Sequence, residues 1–195
     1  MAIELVIGLG NPGEEYAGTR HNVGFRVVEE VGRRLRAGEW KRRFSSQMAA
    51  TRRGRPIWLA KPTTYMNRSG KAALALLSGL DLRPANLLVV VDDVDLPVGR
   101  MRLRKSGGPG THNGLRDLAE AIGSGFARLR VGVCGPDPWA DLADYVLSRF
   151  DPAEEPIVAE CVGRAVDAVE VALFEGFDRA MNRFNRSSEE EQEPE

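Results

Sequence analysis

Residues 86–93, "NLLVVVDD", decide how this chain is built. Leu87 to Val91 run apolar without a break, and Asp92 and Asp93 close the run. A strand with one buried face alternates apolar and polar residues, so an unbroken β-branched run marks a strand covered on both faces. Such a strand belongs at the centre of a sheet with helices around it. Outward from it the chain alternates strands and helices. Residues 3–9 read as a first strand, and Val23, Val27, Val28, Val31 and Leu35 recur at helical spacing over about 22–36. "SSQMAATRRGRPIWLAKP" reads as two strands turning at Arg53-Gly54. "NRSGKAALALLSGL" reads as a helix that Gly79 is placed to end. "GRMRLRKS" is a strand with one charged face, "NGLRDLAEAIG" a short helix and "ARLRVGVCG" a further strand. The chain ends in a long helix from Pro156 to about Gly176 and a last turn or two in "FDRAMNRF". The expected class is α/β, with a largely parallel or mixed sheet.

With 195 residues, 43% of them hydrophobic, the chain can form one domain with a proper core. We assign residues 1–185 to that domain and 186–195, which contain the acidic "SSEEEQEPE", to a disordered tail. No apolar run reaches the ~18 residues that read as a membrane span. "MAIELVIGLG" carries Glu4 where a signal peptide would be basic, and Cys134 and Cys161 form no C-x-x-C. Both cysteines read as buried and reduced, and the expected location is the cytoplasm. Charge is unevenly spread: residues 1–135 hold 22 Lys and Arg against 12 Asp and Glu, whereas 136–195 hold 5 against 16. A basic half of this kind can attract a polyanion, although from charge alone a set of solvated faces is the preferred reading.

The first strand runs into Gly8-Leu9-Gly10-Asn11-Pro12-Gly13, a match to the G-x-G-x-x-G of dinucleotide sites. The context disagrees. Glu14 and Glu15 would repel a pyrophosphate, Ala17-Gly18-Thr19 interrupts any helix, and no second strand ends in an acidic residue about 20 positions on. The glycines instead permit a tight exit that presents Asn11, and a long loop returns to His21-Asn22. Four strand ends thus carry polar residues: Asn11 with His21; the segment Thr63 to Asn67; Asp92, Asp93 and Asp95; and "GGPGTHNG" with His112 and Asn113. Taken singly, each has a plain explanation. Asn67 and Asn113 precede helices and could be N-caps, and a loop histidine is commonly a surface residue. Together, His21 beside Asp93 would form a base with its orienting carboxylate. The asparagines would supply amide donors and acceptors suited to a peptide and an oxyanion. There is no G-x-S-x-G nucleophile elbow, and two separated histidines without a cysteine pair argue against zinc. With the basic stripe holding a phosphate-bearing part of the substrate, the set describes hydrolysis by activated water of an acyl ester or amide joined to a nucleic acid.

"GLGNPGEEYAGTRHNVGF", "KPTTYMNRSGKA", "VVDDVDLPVGRMRLRKSGGPGTHNGLRD" and "RLRVGVCGP" together resemble the bacterial-type peptidyl-tRNA hydrolase family, in the same order and spacing up to about Asn185. The resemblance implies a monomeric three-layer α/β/α globule with a twisted mixed sheet. It also implies cleavage of the ester between a peptide and the 3′ ribose of tRNA, with neither metal nor cofactor. By position, His21 would activate water, with Asp93 as partner and Asn11 beside them. Tyr16, Tyr65, Met66, Asn67, His112 and Asn113 would contact the substrate, and Arg104 with Arg130 would clamp a tRNA phosphate. The clamp's first position is often Lys in the family, and Pro109 and Thr111 depart from its glycine loop; proline stiffens such a loop. The alternative function is a non-catalytic RNA-binding protein on the same fold.

Overall fold

The computed structural model describes residues 2–51, 54–135 and 140–185. The expected tail, 186–195, and Arg53 of the expected hairpin turn lie outside them. Seven strands form one sheet: β1 (Leu5–Gly8), β2 (Lys41–Arg43), β3 (Ser46–Ala50), β4 (Trp58–Pro62), β5 (Leu87–Pro97), β6 (Met101–Arg104) and β7 (Ala127–Cys134), in the order β2-β3-β4-β1-β5-β7-β6. The central neighbours β4, β1, β5 and β7 are parallel. The β2, β3 and β6 additions are antiparallel, so the sheet is mixed as expected.

The helices are α1 (Val23–Arg34), α2 (Ser69–Leu80), α3 (Asn113–Ile122), α4 (Leu142–Leu147), α5 (Glu155–Phe174) and α6 (Phe177–Phe184). Alternation along the strands divides the core in two. Val6, Leu88, Val90, Leu129 and Val131 pack with α1, α5 and α6, while Leu5, Ile7, Val89 and Val91 pack with α2 and α3. β5 therefore supplies both layers, which is why its sequence is apolar without alternation.

Two expectations need correction. Gly79 does not end α2; the helix runs on to Leu80 and closes at Asp81 in the left-handed conformation, φ 54°. Gly79 is small for another reason: a Cβ there would lie 2.3 Å from the Phe44 ring. Cys161 is buried, and burial pushes its thiol up to about 11, but Cys134 at the end of β7 is only partly buried.

The glycine-rich exit of β1 also has a packing role. A Cβ on Gly8 would stand 2.2 Å from the carbonyl oxygen of Gly24, and one on Gly24 would stand 2.5 Å from those of Leu9 and Val90. The first turn of α1 thus lies directly on the ends of β1 and β5. That contact brings the preceding turn, Arg20–Asn22, over the carboxyl edge of the sheet.

Candidate active site

A cavity of about 530 Å³ opens at the carboxyl edge of the parallel strands. Asn11, His21, Asn67, Asp92, His112 and Asn113 line it, with Met66, Asp93 and Arg130 also on its wall. Residues from five separate segments of the chain therefore converge.

The partner of His21 is Asp92, not the expected Asp93. His21 Nδ1 lies 2.9 and 3.0 Å from the two Asp92 carboxylate oxygens. Successive strand residues face opposite sides. Asp92 shares its parity with Leu88 and Val90, which pack toward α1, and the turn carrying His21 leads into α1. Asp93 faces the other way, where its Oδ2 forms an ion pair with Arg130 Nε at 2.9 Å, without hydrogen-bond alignment. Asp93 Oδ1 accepts the Asp95 backbone N–H. Burial raises the Asp93 carboxyl above its ordinary range.

Asp92 is shared by both histidines. His112 Nε2 lies 2.9 Å from Asp92 Oδ1, and the two rings are 5.0 Å apart between centroids. Burial pushes the Asp92 carboxyl up, but the two imidazoles outweigh it and hold the group well below the carboxylate range. An ionised Asp92 only accepts hydrogen bonds, so His21 carries its proton on Nδ1 and His112 on Nε2. The Nε2 lone pair of His21 is then the free basic position at the cavity. His112 Nδ1 accepts the Leu115 N–H at 3.2 Å, so His112 is the N-cap of α3. The N-cap reading of Asn113 and Asn67 is thereby corrected. Asn113 is the first helical residue and accepts from Arg116, while Asn67 sits in the Met66–Arg68 turn before α2.

Asn11 is fixed with equal definition. Its Oδ1 accepts the Met66 N–H at 2.8 Å, which assigns the amide orientation and leaves the NH₂ as the group to face the cavity. Its backbone exchanges two hydrogen bonds with the Asn22 side chain, at 2.8 and 2.9 Å. Asn22, noted in the sequence beside His21 but given no role, pins Asn11 across eleven residues of loop. Tyr16 and Tyr65 meet edge to face, 6.4 Å between centroids, and do not line the cavity; Tyr65 is exposed next to Met66.

Arg104 and Arg130 lie on one sheet face but not opposite one another. Arg104 pairs in register with Arg128, and Arg102 with Arg130. Arg128 is buried and donates to the carbonyls of Gly107, Gly108, Ser124 and Phe126. It therefore holds the glycine loop instead of meeting solvent. Arg104 is exposed.

His21, Asp92 and His112 also form a group whose ligand-type atoms lie within 4.8 Å of one another, the spacing a metal ion could use. In this arrangement those atoms are already joined by the hydrogen bonds that set the two tautomers.

α4 was not expected from the sequence. It forms the apolar wall of the cavity through Leu142, Ala143, Val146 and Leu147. Its signal was an N-cap, Asp141, which accepts the N–H groups of Ala143 and Asp144, followed by apolar residues at helical spacing.

The peptidyl-tRNA hydrolase family model matches residues 5–193. A peptidyl-tRNA hydrolase of Chloroflexus aggregans is 49% identical over 184 residues, covering 93% of this chain and 98% of that protein. One of Aquifex aeolicus is 44% identical over 188 residues, covering 95% and 98%. The crystal structure of peptidyl-tRNA hydrolase from Acinetobacter baumannii is similar to this fold with a TM-score of 0.88, at 34% identity and 94% coverage of both chains. This chain belongs to the peptidyl-tRNA hydrolase family.

Proposed function

We propose that the chain hydrolyses the ester joining a peptide to the 3′ ribose of tRNA, with His21 Nε2 as the base. The observation that carries the assignment is the fixed tautomer of His21: Nδ1–H is held on Asp92, so the basic nitrogen is left for the cavity that Asn11 also lines. Water at Nε2 gives up a proton as its oxygen attacks the ester carbonyl. The imidazolium is stabilised by Asp92 across a buried hydrogen bond. The carbonyl oxygen becomes an oxyanion, for which the Asn11 NH₂ is a preorganised donor. Collapse expels the ribose oxygen, which takes the proton back from His21. Asn67 and Asn113 offer amides to the peptide backbone, Met66 packs against it, and Tyr16 and Tyr65 contact the substrate beside it. Arg104 supplies charge for a tRNA phosphate. Basic catalysis by this route needs neither metal nor cofactor.

The protein would act as a monomer in the cytoplasm, returning tRNA from peptidyl-tRNA dropped by ribosomes. No helix among the described residues is long and apolar enough to cross a membrane. The test is incubation with an N-acetyl-aminoacyl-tRNA and measurement of deacylated tRNA. Multiple turnover is expected. Binding without release would make the chain an RNA-binding module and refute the mechanism.

A further inference from the structure

Arg20 precedes the proposed base by one residue and lies outside the cavity. Its side chain is 4% exposed. Nη1 donates to Glu154 Oε1 at 3.2 Å and to the Val133 carbonyl at 3.0 Å, and Nη2 donates to Glu154 Oε2 at 2.6 Å. The guanidinium carbon lies over the Tyr145 ring at 4.6 Å and over the Phe150 ring at 4.8 Å. Tyr145 belongs to α4, and its hydroxyl donates to the same Val133 carbonyl and accepts the Gly135 N–H. The Arg20 backbone N–H donates to Ser148, and Thr19 bridges Arg149. Glu154 also accepts the Asp151 N–H ahead of α5.

These contacts share a geometric consequence. α4 has a single buried side chain, Val146, and its packing is chiefly on the Arg20–Asn22 turn. A six-residue helix with so little burial is not stable by itself. Its position is therefore set by what Arg20 grips: the Tyr145 ring, the Phe150 ring and the chain between them. The opposite face of α4 is the apolar side of the cavity.

We propose that Arg20 is a positioning residue that fixes the apolar wall on α4 at a set distance from His21, and so determines the fit of the peptide's apolar side chain. The reading rests on the proposed hydrolysis, because the wall matters only if the acyl group occupies this cavity. A planar fork suits the task, since it can meet aromatic rings while holding a carboxylate by two bonds; an ammonium cannot. The double variant Arg20→Met/Glu154→Leu removes the clamp without stranding a charge, because a buried ion pair exchanged for apolar groups of similar volume commonly keeps its stability.

The experiment compares the wild type, Arg20→Lys and the double variant, each first checked for its melting temperature. Hydrogen exchange is followed over residues 140–150, and kcat and KM are measured on N-acetyl-phenylalanyl-tRNA and N-acetyl-glycyl-tRNA. Faster exchange of 140–150 is expected at retained melting temperature. KM for the phenylalanyl substrate should rise by about tenfold, the size of effect expected when a pocket wall loses its position, while the glycyl substrate changes little. Arg20→Lys should fall between. Unchanged exchange in the folded double variant would overturn the proposal. So would equal losses of kcat on both substrates at constant KM, which would assign the clamp to the base alone. If the double variant does not fold, Tyr145→Leu beside Tyr145→Phe gives the exchange test: Leu removes the ring that Arg20 grips and should speed exchange, whereas Phe removes only the two hydroxyl bonds and should exchange more slowly than Leu; equal exchange in the two would overturn the proposal. A wild type inactive on both substrates would refute the hydrolase reading, and the exchange result would still decide whether Arg20 holds α4.

Discussion

Residues 20 and 21 are neighbours in one short turn, yet their side chains enter two different buried charge centres. Arg20 meets Glu154 through two aligned bonds, a backbone carbonyl and two aromatic faces. His21 meets Asp92, a carboxylate that it shares with His112. The first centre joins a permanent cation to a carboxylate, so its main effect is to fix positions. The second joins a carboxylate to groups that can change protonation state, and it leaves one nitrogen of His21 uncommitted at a cavity. A buried charge held by a permanent counter-charge builds structure, and one whose partner keeps a free lone pair can do chemistry.

Removing one member from each centre should separate these roles most widely. His21→Ala should lower kcat by about 10²–10⁴-fold, the range for loss of a general base, with little change in melting temperature. Arg20→Ala should instead strand Glu154 in the interior and destabilise the fold by about 3–5 kcal/mol. Steady-state kinetics and chemical denaturation of the same two proteins check both. If His21→Ala proved the less stable and Arg20→Ala the less active, the division would be reversed.

The neighbouring aspartates give the next sharpest contrast. Asp92→Asn keeps the shape but puts an amide where two ring N–H groups require an acceptor, so His21 can settle in the wrong tautomer. A drop in kcat/KM of about 10²-fold or more is expected. Asp93→Asn touches neither histidine and should reduce kcat by less than about tenfold, with its main effect on KM through the released Arg130. A larger kcat loss from Asp93→Asn would restore Asp93 as the partner.

That the two aspartates could be exchanged in a reading of the sequence has a physical cause. The unbroken apolar run of β5 reveals that both faces are buried, and for that reason carries no sign of which face a given residue takes. The central strand, α1, α3, α5 and the convergence of Asn11, His21, His112 and Asn113 were all legible from periodicity and from polar residues at strand ends. The roles of Asn22, Arg20 and Glu154 were not, because each acts across a long stretch of sequence and resembles an ordinary loop or surface residue until the fold places it. Gly79 shows the same limit: its spacing fits a helix end, and only the Phe44 ring explains its place inside the helix.

Acid should expose the two centres together. Burial raises the Asp92 and Glu154 carboxyls, and their partners outweigh it: the two histidines at Asp92, and Arg20 with the Asp151 N–H at Glu154. Both pKa values are lower folded than unfolded. Each group therefore contributes stability above its unfolded value, about 4, and loses it as pH falls through the folded value. Denaturation midpoints measured from pH 7 down to pH 3 should fall. In the Asp92→Asn protein the fall should be shallower, since one of the two contributions is gone. An identical slope would mean that Asp92 is not held ionised by the histidines.

The smallest effect belongs to the exposed charges, which belong to neither buried centre. Arg104 and Arg130 were expected to act as a pair, but their surroundings differ. Arg130 is engaged by Asp93, whereas Arg104 stands exposed on the edge strand β6, opposite the buried Arg128. A phosphate contact made by an exposed arginine is mostly counterion release, so its loss raises KM modestly and flattens the salt dependence. Arg104→Ala should raise KM for a peptidyl-tRNA by about three- to tenfold at low salt, reduce the log–log salt slope by about 0.7–0.9, and leave kcat unchanged. Arg130→Ala should differ, because it also strips Asp93 of its cation and leaves a carboxyl that burial already raises. Its KM effect should come with a loss of stability that is greatest at neutral pH and above, where the unpaired Asp93 is ionised, and that eases as pH falls and Asp93 takes up a proton. Salt titrations of KM for the two variants, set beside their denaturation curves, distinguish a residue that only meets phosphate from one that also supports the site. Equal salt slopes for wild type and Arg104→Ala would remove Arg104 from the tRNA surface.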